Sequence, residues 1–222
     1  CLSQIRMYKR MLQSILKIGL PAGFEAIMYS ISNIIVQVSI NNFGVDTMAA
    51  WTAYSKIDFI FWMINSAFGI SVMTFVGQNY GAGKWDRIRR GTKICLGMAL
   101  ISAVSVSIIL MSAERFLFGI FVNDAGVVEI GIHMMNVIAP AYLLFAFIEV
   151  FSGALRAQGA VVVSTLITMV GICVLRMIWV TLVAAHGTLE QVIICYPITW
   201  AAGALAMSIY YIYKQRKIFQ AR

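Results

Sequence analysis

Glu25, Lys56, Asp58 and Glu149 are ionisable side chains set within or at the edges of long apolar runs, and that setting defines the chemistry open to them. A charge in hydrocarbon costs roughly 2.5 to 3.5 kcal/mol on the insertion scale, so charges kept there pair with one another or line a path for ions or polar substrates. Glu25 is followed by Tyr29, Asn33, Gln37 and Asn41 at successive fourth positions, a slowly drifting polar stripe along one helix. A second helix repeats the pattern with Ser55, Asp58, Trp62, Asn65, Ser66 and Gly69, and Lys56 lies beside it. Two such stripes predict a cavity in which Glu25 and Asp58 conduct a cation or proton, and Tyr29 and Trp62 offer aromatic faces to an organic cation. The structural alternative is an ion pair in which Lys56 neutralises Asp58 or Glu25. Glu149 shares a helix face with Ser152, Gly153 and Arg156, and a Glu149–Arg156 network is the expected arrangement there. Arg176 reaches the outer interface or pairs within the bundle.

The elements that position these side chains must be membrane-spanning helices. The 222 residues are 61% hydrophobic and 12% charged, with a mean hydropathy of +0.85, far from the roughly one-quarter charged share of soluble domains. Residues 26–45, 59–83, 94–113, 130–148, 157–175 and 191–213 carry no Asp, Glu, Lys or Arg, and each nears or exceeds the ~18 residues that mark a spanning helix. Runs such as Ile94 to Ala113 are apolar on all sides, which excludes the alternation of a β-barrel. The expected fold is an all-α six-transmembrane-helix bundle, with spans near 15–41, 48–76, 88–112, 127–152, 160–185 and 190–213. At ~1.5 Å per residue, Glu25 and Asp58 lie about 15 to 16 Å from their helix starts, which predicts a shared depth near the midplane. Glu149 lies roughly 10 Å deeper than Arg156 on the same scale.

Charge sets the orientation. The N-terminal segment holds Arg6, Lys9, Arg10 and Lys17, the turn after the second span Lys84, Arg87, Arg89, Arg90 and Lys93, the end of the fourth span Arg156, and the tail Lys214, Arg216, Lys217 and Arg222. All fall on one side of a six-span arrangement, with Arg115 opposite and Lys56 and Arg176 within spans. The positive-inside rule places both termini in the cytoplasm. The net charge of +8 therefore requires no nucleic-acid partner; short basic loops beside anionic lipid headgroups account for it.

Cys1, Cys95, Cys173 and Cys195 form no CxxC pattern and read as small packing residues. His133 and His186 have no ligand at metal spacing, though His133 could join a proton relay. No constellation of an enzyme emerges, no cofactor is expected, and a metal is left undetermined. Pro21, Pro140 and Pro197 fall within helices one, four and six, where each removes a backbone donor and favours a kink.

The second span ends in Gly77-Gln78-Asn79-Tyr80-Gly81-Ala82-Gly83-Lys84. A phosphate-binding loop would need Gly at Gln78 and Ser or Thr at Trp85, so the nucleotide reading fails. Gly77 and Gly81 suit close packing, Gln78 and Asn79 capping, and Gly83 the turn. With this element, Gly19-Leu20-Pro21-Ala22-Gly23, Ala53-Tyr54, Lys56-Ile57-Asp58 and Gly153-Ala154-Leu155-Arg156-Ala157-Gln158-Gly159, almost the whole chain resembles the multidrug and toxic compound extrusion (MATE) family. The resemblance implies the C-terminal six-helix lobe of a twelve-helix transporter: an inter-lobe cytoplasmic linker at 1–17, a transmembrane lobe at 18–213 and a basic tail at 214–222. It also implies a missing N-terminal six-helix lobe, and export of small cationic or amphipathic compounds across the plasma membrane in exchange for sodium or protons. Some branches carry an acidic residue about where Tyr29 and Phe145 stand; Glu25 is one turn earlier and Glu149 one turn later, so neither takes the coupling role by transfer. The alternatives are a lipid-linked saccharide flippase, whose cleft should be more cationic than Lys56 and Arg176 alone provide, and a non-transporting fragment.

Overall fold

The computed structural model describes residues 8–183 and 187–220; Cys1, Arg6, His186 and Arg222 lie outside them. Six helical segments are long and apolar enough to cross a membrane, and no strand occurs among the described residues. Span one is α1 (Lys9–Asn41), span two α2 (Val45–Gly81) and span three α3 (Trp85–Ser112). A short helix, α4 (Glu114–Phe121), leads into span four, made of α5 (Ala125–Ile138), a 3₁₀ turn (Ala139–Ala141) and α6 (Tyr142–Ala157). Span five joins α7 (Val161–Thr168), a π-helical segment (Met169–Val174) and α8 (Leu175–Leu182); span six joins α9 (Leu189–Ile193) and α10 (Cys195–Gln220).

The spans occur where hydropathy predicts them, but several run further. Helix α1 already begins at Lys9, inside the segment expected as a linker, and α10 continues through the basic tail to Gln220. That tail is anchored: Lys214 Nζ donates to the Gln158 carbonyl at 3.0 Å, and Gln215 Nε2 to Gln158 Oε1 at 3.0 Å. Pro140 lies in the 3₁₀ turn of span four, and span six breaks at Ile194, just before Pro197, as expected where a backbone donor is missing. Pro21, by contrast, is carried within a continuous α1. The π segment of span five has no proline behind it. Gly171 lies within it and faces Gly203 so closely that a Cβ there would meet the Gly203 Cα at 3.3 Å.

Span four is the most buried span and span one the least. Span two packs chiefly on spans four and three, and span six on spans four and five. Spans two and four approach closely, backbone to backbone, where a Cβ on Gly153 would lie 2.8 Å from the Gly69 carbonyl oxygen and 2.9 Å from Val72 Cγ1. Small residues replace the hydrophobic effect as the means of association in lipid, because they let backbones touch. Gly81, expected to serve the same role, has open space around it.

The Gly77–Lys84 element is a turn closed by the backbone. Gly83 takes φ +67°, with Gly83 N donating to Tyr80 O at 3.1 Å and Lys84 N to Asn79 O at 2.9 Å. This is a Schellman cap with glycine in its left-handed position. The junction of spans four and five repeats it: Gly159 has φ +79°, with Gly159 N to Arg156 O at 3.0 Å and Ala160 N to Leu155 O at 2.9 Å. Asn79 does not cap with its side chain; its Nδ2 donates back to Phe75 O at 2.8 Å. These two turns define the Gly83 end of the lobe, and the span one to two turn at Gly44 (φ +97°) defines the opposite end.

Gly153→Val should lower the melting temperature of the purified protein, the crowding at Gly69 and Val72 costing about 1 to 3 kcal/mol. Gly81→Ala should leave it unchanged or raise it. Equal effects from the two would contradict the close contact of spans two and four.

Candidate functional site

Asp58 lies on span two beside the start of α6, and Glu25 lies on span one beside the end of the same helix. Asp58 accepts hydrogen bonds from the Tyr142 hydroxyl and from Trp62 Nε1, and Tyr54 OH lies 3.2 Å from Tyr142 OH. The spacing of the aromatic partners is tight: Phe61 stacks on Tyr142 at 3.9 Å, and Trp62 meets Phe145 edge-on at 4.6 Å. Both oxygens of Glu25 accept from Arg156 Nη2, each at 2.7 Å, and Thr165 Oγ1 donates to Glu25 Oε2 at 3.1 Å. Glu25 thus ties span one to span four by an ion pair and to span five by a hydrogen bond.

The expected shared depth of Glu25 and Asp58 does not hold. Tyr142 and Arg156 are at opposite ends of α6, about 21 Å apart along its axis, so their two carboxylate partners occupy two levels. Helix starts are poor rulers when spans extend beyond the membrane by different lengths.

Each carboxylate opens on its own cavity. The Asp58 cavity, ≈ 570 Å³, is lined by Asn33 and Gln37 of the span one stripe, by Trp51, Tyr54 and Ser55 of span two, and by Arg176, Tyr196 and Trp200. The Glu25 cavity, ≈ 270 Å³, is lined by Asn65, Ser66, Glu149, Ser152, Arg156 and Thr168. Tyr29 and Trp62 line both, so they form the wall between the two levels. The structure therefore brings every pathway residue read from the sequence, Glu25, Tyr29, Asn33, Gln37, Asp58, Trp62 and Asn65, onto one face.

The network of Lys56, Glu149 and Arg156 forms differently. Arg156 takes Glu25 as its ion-pair partner, while the Glu149 carboxyl rests where a Cβ on Gly69 would sit, inside the Glu25 cavity. Lys56 makes no ion pair among the described residues; it is exposed, with Nζ 5.3 Å from the centroid of the Phe121 ring. Residues two apart on a helix point to different faces, which separates Lys56 from Asp58. His133 is exposed on α5 and lines neither cavity.

Arg176 is the residue whose role sequence reasoning missed. It is 1% exposed, donates from Nη1 to Asn33 Oδ1 and from Nη2 to Thr199 Oγ1, both at 3.3 Å, and stacks 4.1 Å above the Tyr196 ring. A lone arginine in an apolar run signals burial against protein, but not which wall it faces. Among the described residues, no group of three or more His, Cys, Asp or Glu could hold a metal ion. The Glu25 cavity instead offers hard oxygen donors from Glu25, Glu149, Ser152 and Thr168.

A family model described as MatE matches residues 21–182. The chain belongs to the MatE family. It is 25% identical over 219 residues to the probable multidrug resistance protein YoeA of Bacillus subtilis (strain 168), covering 96% of this chain and 47% of that protein. It is 22% identical over 158 residues to multidrug and toxin extrusion protein 1 of Homo sapiens, covering 68% of this chain and 28% of that protein. Among solved structures, a MATE family transporter of the MOP superfamily in an outward-facing conformation superposes with a TM-score of 0.88 at 16% identity, covering 99% of this chain and 50% of that chain. A MATE in complex with MaL6 superposes with a TM-score of 0.89 at 15% identity over the same shares. At these identities the superpositions show the fold, with the six spans matching about half of each solved chain, and the chain spans about half the length of these relatives or less.

Arg156→Met should destabilise the protein by about 3 kcal/mol, the lower part of the range for a broken buried pair, because the Arg156 side chain is 28% exposed. The double variant Glu25→Gln/Arg156→Met should recover most of that loss in a double-mutant cycle read by thermal denaturation. Additive losses would show that the two residues do not act as a pair.

Proposed function

We propose that this chain is the C-terminal lobe of a secondary active multidrug antiporter of the plasma membrane, exporting cationic or amphipathic compounds in exchange for sodium or protons by alternating access. The observation that carries this reading is the pair of cavities, each with its own carboxylate, divided by Tyr29 and Trp62. An organic cation would settle in the larger one, its charge on Asp58 and its rings against Trp62 and Tyr54. The second lobe, which the length of the relatives calls for, closes the other side of the cleft. Both termini and the Gly83 end are cytoplasmic in this reading, because the basic residues of the turn, the N-terminal segment and the tail gather there.

Coupling follows from the Glu25–Arg156 pair. A sodium ion or proton arriving at Glu25 competes with Arg156 for the carboxylate, and its arrival loosens the tie of span one to spans four and five. Ion entry at one level thereby changes the packing of the span whose stripe lines the other. A saccharide-diphosphate flippase is disfavoured, because the cavity that holds Arg176 also holds the Asp58 carboxylate, whereas a diphosphate needs several unopposed cations.

In the full-length protein reconstituted in liposomes, Glu25→Gln should reduce efflux of ethidium driven by an imposed sodium or proton gradient about tenfold or more, while equilibrium ethidium binding changes less than threefold. Unaltered gradient-driven efflux would remove Glu25 from coupling.

A further inference from the structure

Span three lines neither carboxylate cavity, but with span two it forms a groove of its own. Phe68, Ser71 and Phe75 of α2 and Gly91, Ile94 and Met98 of α3 line this groove of ≈ 370 Å³. At 3.6 residues per turn, its α2 residues lie on a different face of that helix from Asp58, Trp62, Asn65 and Gly69. The groove therefore opens away from the cleft, and its outer lip is apolar: Ile94 is 54% exposed and Met98 56%. With no side chain at Gly91, the Phe75 ring lies where a Cβ there would sit, against the α3 backbone. Cys95 Sγ donates to the Phe68 carbonyl at 3.8 Å and joins the two spans along the groove.

Inside a bilayer an apolar groove is filled by hydrocarbon, so the groups at its mouth decide which lipid supplies the chain. Where α2 ends and α3 begins, Tyr80 and Trp85 meet edge-on at 4.9 Å, the kind of aromatic pair that marks the headgroup level. Arg87 precedes Gly91, and Arg90 precedes Ile94, by four residues. Each arginine thus lies about one turn, ~5.4 Å, from the groove on the same side of α3. Both are exposed, neither makes an ion pair among the described residues, and Asp86 is the acid of that first turn. Helical side chains lean toward the helix N-terminus, which carries the two guanidinium groups toward the headgroups and away from the groove.

We propose that this groove holds an acyl chain of an anionic phospholipid whose phosphate is bound by Arg87 and Arg90. Guanidinium groups match phosphate oxygens two at a time. A zwitterionic phospholipid offers the same chains and phosphate but brings its own cation into a basic mouth, so net negative charge is what the site selects. The site is separate from both cavities and stands independently of the transport reading.

The test uses the full-length protein in nanodiscs containing a trace of phospholipid with a diazirine midway along one acyl chain, and crosslinked residues are mapped by mass spectrometry. A phosphatidylglycerol probe should label residues 68–75 and 91–98 about tenfold more than a phosphatidylcholine probe, two arginines contributing to the difference. Unlabelled phosphatidylglycerol should compete with it in the unmutated protein, a measurement that needs no variant to fold. Arg87→Gln/Arg90→Gln should bring the two probes level. Ser71→Leu, which fills the groove from an exposed position, should reduce labelling by both. Equal labelling by the two probes in the unmutated protein makes the groove ordinary annular surface and overturns the inference. Absence of labelling by either means that the second lobe or another copy covers the groove, and a preference that survives the double variant places the phosphate elsewhere; each of these overturns it as well.

Discussion

Hydrocarbon can satisfy neither a charge nor a peptide group, and the architecture of this lobe follows from that constraint. The backbone answers with helices that run from turn to turn, and their ends are closed by the chain's own amides, as at Gly83 and Gly159. Glu25, Asp58, Arg156 and Arg176 answer by gathering on protein rather than lipid, whereas Lys56 stays exposed. Glu25 finds Arg156, Asp58 finds Tyr142 and Trp62, and Arg176 finds Asn33, Thr199 and the face of Tyr196. Because all these partners sit on spans one, two, four, five and six, the polar groups converge on one side of the bundle. The cavities are the space left between them.

That convergence gives the lobe two levels. The larger has an aromatic enclosure and one charge of each sign; the smaller is walled by two carboxylates, the Arg156 guanidinium, hydroxyls and an amide. Tyr29 and Trp62 belong to both, so a change in the position of span one is felt on either side of them. The least buried span is thus the one that carries the stripe and the ion pair. It packs mainly along span five, with Val36 and Ile40 fully buried, and adds the Glu25 contacts to Arg156 and Thr165.

Much of this was legible in the sequence, for identifiable reasons. Span existence is a one-dimensional property, recoverable from uncharged runs, and the fourfold spacing of Glu25, Tyr29, Asn33 and Gln37 declares a face. Partners across spans are a three-dimensional property. Glu149 and Arg156, seven residues apart, do share a helix face, but the arginine's reach is decided by which neighbouring span presents a carboxylate, and that is Glu25. Lys56 lies next to Asp58 in the sequence and on another face in space. The π segment at Met169–Val174 has no proline to announce it, and the role of Arg176 depends on Asn33 and Thr199, which only folding brings beside it.

The repeated Schellman turns carry a mechanical consequence. A chain that reverses within a few residues, locked by two backbone hydrogen bonds and a left-handed glycine, has no slack to extend. Spans two and three, and likewise four and five, are therefore coupled rigidly at the Gly83 end, with the tail of span six clamped onto Gln158 as well. Rearrangement of the lobe has to be absorbed elsewhere along the helices: at the 3₁₀ turn around Pro140, the π segment of span five and the break at Ile194. In any such rearrangement the stiff end would be the fulcrum, and the irregular stretches of spans four to six the places to bend.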